Sequence, residues 1–209
     1  MNRKNRTIVA GAGFFIVFTA IIGVSNVIFG NSSHWEIKNL MLAAANDGDS
    51  QKLSAMENPQ IVVRKKARKL ELFDGEKLIK TYKIALGFAP IGDKEREGDG
   101  RTPEGEFYIY TKNAKSRFYL SLGVSYPNAE DAERGLKKQL ISKAEHDRII
   151  EANAAQKMPP QKTKLGGEIY IHGNGVSSDW TWGCVALADA DMKEIFDAIP
   201  VGAKVRILP

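Results

Sequence analysis

From Ile61 onward, short runs with apolar residues at every second position are separated by glycine, proline, asparagine and aspartate. That period of two is the mark of strands with one buried face. Ile61-Val62-Val63 opens the first. Leu70 and Leu72 lead into Asp74-Gly75, and Leu78, Tyr82, Ile84 and Leu86 alternate on the return, which predicts a hairpin that Gly87 and Pro90 end. Phe107 to Tyr110 predicts another strand. Phe118, Leu120 and Leu122 alternate within Ser116 to Tyr126 until Pro127-Asn128 stops the run. Ile169 and Ile171 predict a strand that carries His172 to its end, and Val185 to Leu187 a second short one. Ala203 to Leu208, alternating at Val205 and Ile207, closes the chain with a last strand. The fold class is therefore mainly β.

Two stretches break the period. Asp131 to Lys157 is rich in Ala, Glu, Lys and Gln, with glycine only at Gly135, and predicts helix. Ser142-Lys143-Ala144-Glu145 is a capping box, so a second helix starts there and Pro159-Pro160 ends it. The segment reads either as a helical insertion packed near the functional site or as a solvated pair of surface helices. His146, in the first turn, is expected to be exposed and without chemistry. Asp191 to Ile199 places Met192, Ile195, Phe196 and Ile199 at helical spacing.

The beginning of the chain is different again. Arg3, Lys4 and Arg6 precede Thr7 to Gly30, a run of 24 residues without a charge. As a helix it would be about 36 Å long, enough for a hydrocarbon core. Residues 1–30 are read as a basic tip and a single transmembrane anchor, with the N-terminus cytoplasmic and everything from Asn31 onward in the periplasm or outside the cell. The alternative is a cleaved signal peptide and a secreted protein. Trp35 to Ala45 predicts a short helix at the membrane surface, and Asn46 to Pro59 a linker, so residues 31–59 join the anchor to a globular domain over 60–209.

Composition narrows the chemistry. A single cysteine excludes an internal disulfide, and three scattered histidines offer no spaced ligand pair, so no metal or other cofactor is expected. The formal net charge is +5, of which three belong to the basic tip. The remaining +2 does not argue for a nucleic-acid partner. The runs Arg64-Lys65-Lys66 and Arg68-Lys69 read as solvated strand faces.

The chemistry-bearing stretch is Ile169 to Leu187, which holds Cys184 and His172 on either side of a glycine-rich polar loop. An imidazole that meets a thiol can take its proton, and the thiolate can attack a carbonyl. A lone cysteine among apolar residues is otherwise a small buried hydrophobe. Gly183 before the cysteine would leave the backbone N–H groups of Gly183 and Cys184 open to an oxyanion.

His172-Gly173, followed by Thr181-Trp182-Gly183-Cys184-Val185, resembles the signature of the YkuD-type L,D-transpeptidase family. The Asp179-Trp180-Thr181 lead-in resembles its YafK-like subgroup. Gly98-Asp99-Gly100-Arg101-Thr102-Pro103-Glu104-Gly105, Ser116 to Leu122 and Tyr126-Pro127-Asn128 extend the likeness over about residues 60 to 209. It departs at Ala186, where the family often has Arg or Asn. The resemblance implies a YkuD-like mixed β-sandwich or barrel with an inserted helical segment. It implies Cys184 as nucleophile, His172 as base and Gly173 as the residue whose carbonyl orients the imidazole. No acidic third member is obvious in the sequence, and Asp179 is a candidate. Trp180, Thr181, Trp182 and Tyr126 are candidate substrate contacts, although Tyr126 reads equally well as core. The implied partners are peptidoglycan stem peptides and a wall-linked lipoprotein; the uncharged run at residues 7–30 adds the membrane. The implied reaction is acyl transfer from the stem-peptide diamino acid, with hydrolysis or lipoprotein release by the same fold, or a non-catalytic wall-binding module, as alternatives.

Overall fold

The computed structural model describes residues 36–39, 41, 53 and 56–209. The chain divides into two units, Met1–Asp49 and Ser50–Pro209. In the first, residues 36–39 and 41 are helical and exposed, inside the predicted 35–45 helix. The predicted membrane span lies outside the described residues, as does most of the linker. Among the described residues, no helix is long and apolar enough to cross a membrane.

The second unit is built on one mixed sheet of eight strands: β1 (Pro59–Arg64), β2 (Lys69–Asp74), β3 (Lys77–Lys83), β4 (Gly105–Ser116), β5 (Tyr119–Val124), β6 (Tyr170–His172), β7 (Val185–Ala186) and β8 (Lys204–Leu208). Their order across the sheet is β3-β2-β1-β8-β4-β5-β6-β7. The sheet curls on itself. Beyond β3 the chain crosses to the opposite edge, where Ala85 and Ala186 exchange backbone hydrogen bonds of 2.9 and 2.8 Å and Phe88 N donates to Thr181 O at 3.0 Å. The inner faces enclose an apolar core that includes Val63, Leu70, Leu72, Ile109, Leu122, Ile171, Val185 and Val205. Leu53 and Met56, two described residues of the stretch read as linker, pack against it.

The predicted hairpin forms around Asp74 and Gly75, whose φ of +58° suits glycine. Its register shifts between Leu72 and Phe73, and Leu78 is exposed instead of alternating inward. Lys65 was expected in solvent and is 2 % exposed. Its ammonium donates to Gly92 O, Thr102 O and Glu104 Oε1 at 2.5, 2.8 and 2.7 Å, satisfying all three protons of a buried cation. The segment from Gly92 to Glu104 is thereby tied to the end of β1.

The helical insertion is two helices, α1 (Ala129–Lys137) and α2 (Lys143–Ala154), followed by α3 (Asp189–Ala198) after β7. Ser142 and Glu145 form the predicted capping box. Asn128 and Asp131 form a second one at the start of α1, so the residue read as a strand stop also starts a helix. Ala132, Ile141, Ile149 and Leu165 make a separate small apolar cluster. His146 is 8 % exposed rather than free in solvent: Nε2 lies 2.8 Å from Glu133 on α1 and Nδ1 2.9 Å from Asp147. In α3, Met192 and Ile195 face the core as their spacing predicts.

Candidate active site

Strands β6 and β7 run parallel, with Ile171 opposite Val185 and His172 opposite Ala186. That register sets Cys184 beside Tyr170, one alternation short of His172. Ile171 and Val185 point into the core while Tyr170, His172 and Cys184 turn to the other face. All three line one cleft of about 1260 Å³. The cleft also takes in Phe118, Trp180 and Trp182, and a rim that includes Arg117, Lys164 and Glu168.

His172 is tightly held. Its Nδ1 lies 2.7 Å from Gly173 O. A carbonyl only accepts, so Nδ1 carries the proton and, in the neutral ring, Nε2 keeps the lone pair. Phe118 stacks on the imidazole at 4.7 Å and Trp180 meets it edge-on at 5.5 Å. The ring is 2 % exposed. That burial lowers its pKa from the ordinary 6.5, with the Gly173 carbonyl pulling the other way.

Cys184 is held more loosely and is partly exposed. Its Sγ accepts from Tyr170 N at 3.4 Å and lies 3.5 Å from Glu168 O, to which the thiol donates. Among the described residues no hydrogen bond joins it to His172. Burial pushes the thiol up to about 11, against the Tyr170 N–H, which lowers it. Each shift favours the neutral form of its group.

A model of the L,D-transpeptidase catalytic domain family matches residues 58–207. The chain belongs to that family. YafK of Escherichia coli (strain K12), provisionally named as an L,D-transpeptidase, is 26 % identical over 145 residues, which are 66 % of this chain and 46 % of YafK. The chain thus spans under half the length of that relative. Among solved structures, the helical cell shape determining protein Pgp2 of Campylobacter jejuni is 18 % identical, covers 77 % of this chain and 54 % of its own, and superposes with a TM-score of 0.48. An L,D-transpeptidase of Mycobacterium smegmatis is 11 % identical, with coverage of 73 % and 59 % and a TM-score of 0.43.

In this member of the family the other predicted site residues are placed unequally. Trp180 lines the cleft against His172, and its Nε1 donates to Gly175 O at 3.2 Å. Trp182 is 71 % exposed, edge-on to Phe88 at 4.9 Å. Thr181 lines the cleft but is buried, and its hydroxyl serves the turn: Oγ1 donates to Cys184 O at 2.7 Å and accepts from Gly183 N at 3.2 Å. The Gly183 N–H, expected to face an oxyanion, is thereby engaged. Gly183 has φ +125°, and a Cβ there would lie 2.6 Å from Arg101 O, so glycine is required for backbone fit against the 98–105 loop. Tyr126 is fully buried in the core, its hydroxyl donating to Leu165 O at 3.0 Å, and does not reach the cleft. Asp179 does not meet His172. It accepts from Arg68 Nε and Nη2 and from Leu86 N, anchoring the β6–β7 loop to the β1–β2 turn and to the chain leaving β3.

Sequence reasoning missed Phe118 as a site residue, reading it as an alternating apolar position within an element of the resemblance. Its place between the guanidinium of Arg117, 4.8 Å from the ring centre, and the imidazole of His172 depends on the β5–β6 pairing. The signal available was its membership of the Ser116-Arg117-Phe118 element that already marked the resemblance.

Proposed function

We propose that the chain is a peptidoglycan-modifying cysteine acyltransferase of the L,D-transpeptidase type. One observation carries this reading: Cys184 and His172 open on the same cleft, and the Gly173 carbonyl accepts a hydrogen bond from Nδ1–H, which leaves the Nε2 lone pair free to act as a base. As Sγ attacks the carbonyl at the L-centre of the stem-peptide diamino acid, the thiol proton passes to Nε2. The C–N bond then breaks, the imidazolium protonates the departing amine, and a thioester remains on Cys184. An acceptor amine gives its proton to Nε2, attacks the thioester and releases the thiol. Water in the same place gives hydrolysis. Negative charge on the tetrahedral oxygen falls to the Cys184 N–H, which has no partner among the described residues, because Thr181 engages that of Gly183. Such a substrate lies outside the cytoplasmic membrane. We therefore assign residues 7–30 as the anchor that holds residues 60–209 on that side.

The test is to incubate the full chain with purified muropeptides and read product masses. New cross-links, a released terminal residue or a freed lipoprotein peptide identify the acceptor. Cys184→Ala is expected to abolish all three; retention of any of them would sink the reading. The raised thiol pKa predicts that iodoacetamide alkylates Cys184 slowly at pH 7 and faster as pH rises toward about 11. Turnover should need only the lowered pKa of His172 to be passed on the acid side. Fast alkylation already at pH 6 would instead mean a preformed ion pair.

A further inference from the structure

We infer that Asp189 is a positioning residue for His172, acting through the peptide unit between Gly173 and Asn174; this rests on the proposed role of His172 as base. That unit has hydrogen bonds on both sides. Its carbonyl, Gly173 O, accepts from His172 Nδ1 at 2.7 Å. Its amide, Asn174 N, donates to Asp189 Oδ1 at 2.7 Å. In a trans peptide the C=O and N–H point in opposite directions in one plane. A carboxylate that accepts on one side therefore aims the carbonyl at the imidazole on the other.

The surrounding chain leaves that plane to be decided there. Gly173 N donates to Phe118 O at 3.1 Å and Gly175 N to Leu187 O at 2.9 Å, so the turn is fixed before and after the unit. Asn174 sits at φ +81°, a region that a non-glycine residue enters at some cost. A peptide turned over would present its N–H to Nδ1. That would hold the lone pair at Nδ1 and move the proton to Nε2, where a base cannot use it. A carboxylate cannot donate, so Asp189 opposes the turned-over form.

Two further features fit this role. Asp189 is the first residue of α3, yet α3 has no side-chain cap; the carboxylate reaches across to the turn after β6 and does not close its own helix. Gly173 is shaped to receive it: a Cβ there would lie 2.5 Å from Asp189 Oδ1. The glycine of the His-Gly pair is thus explained by the approach of this carboxylate as well as by the Phe118 carbonyl 3.1 Å from the same point. The acidic third member sought at Asp179 is supplied from α3, through one peptide.

The experiment reads the tautomer of His172 directly, by nitrogen NMR of the full chain labelled at histidine, without substrate. Wild-type protein should hold the Nδ1–H form in about tenfold excess, the value of one hydrogen bond. Asp189→Asn keeps an accepting oxygen but gains a donor that can serve the turned-over form, so its tautomer ratio should fall between wild type and Asp189→Ala. Asp189→Ala should populate the Nε2–H form and lower kcat on muropeptides on the order of tenfold, with KM little changed. If the alanine variant fails to fold, Asp189→Ser, too short to reach the 174 N–H, replaces it. An unchanged tautomer ratio in the folded alanine or serine variant overturns the inference. A tautomer shift in a protein whose wild type turns over no muropeptide sinks the functional reading and leaves Asp189 as the residue that sets this peptide.

Discussion

The cleft has a floor and a wall that are held by different forces. The floor is the end of the curled sheet, where β5, β6 and β7 rest on Leu122, Ile171, Val185 and Leu187 in the large core. The wall is the chain from Gln161 to Glu168 with Glu145 of α2, backed by the α1–α2 pair through Leu165. Its apolar cluster is small, and polar clasps do much of the holding. His146 sits between Glu133 and Asp147, Arg134 pairs with Asp131 and Asp93, and Asn153 Nδ2 donates to Pro127 O at 3.1 Å. Apolar burial does not depend on pH near neutrality, whereas carboxylate and imidazole clasps do. The residues assigned to chemistry lie on the floor, and the adjustable contacts lie in the wall.

The sharpest way to break this contrast is to cut one side chain from each part. Ile171→Ala, next to His172 and fully buried, is expected to cost about 2–5 kcal/mol and to lower the midpoint of global unfolding. Activity should fall with it, because β6 carries the imidazole. Ile149→Ala in the wall should cost about 2 kcal/mol, the low end for such a truncation, since fewer apolar groups surround it. Hydrogen exchange should then speed in α1 and α2 and stay slow in β6. Equal acceleration in both would show that floor and wall unfold as one unit.

A smaller effect should come from pH. His146 has its pKa raised from 6.5 by Asp147 and Glu133. Its contribution is full below the ordinary value and is lost as pH rises through the raised one. Asp131 is raised from 3.8 to about 7, because burial outweighs the Asn128 N–H and Arg134. Its contribution is full below the ordinary carboxylate value and is lost as pH passes about 7. Both signs agree, so α1 and α2 should exchange faster at pH 8.5 than at pH 5, beyond the intrinsic base catalysis seen in β6. The smallest expected change is His146→Gln, which should flatten only the imidazole part of that pH dependence.

The β character of the domain could be read from the chain because alternation records which face of a strand is buried, and Ile169, Ile171, Val205 and Ile207 all obey it. Helix starts could be read where a side chain closes its own turn, as at Ser142 and Glu145. Leu78 was misplaced because a bulge resets the phase, and Lys65 because a charge looks solvated until distant carbonyls are known to surround it. Tyr126 carried equal signals for cleft and core, and only packing separates them.

The sequence by itself determined the strand-rich fold class, the helical insertion and the His172 and Cys184 pair, since these follow from local periodicity and from motif spacing within the chain. The tertiary structure decided what depends on partners far along the chain. The parallel register of β6 and β7 puts sulfur and imidazole on one cleft, burial raises the thiol pKa and lowers that of the imidazole, and α3 brings Asp189 to the peptide behind His172. Those outcomes depend on distances between segments, and a pKa or a peptide plane is set by what stands within a few ångströms, whatever its place in the sequence.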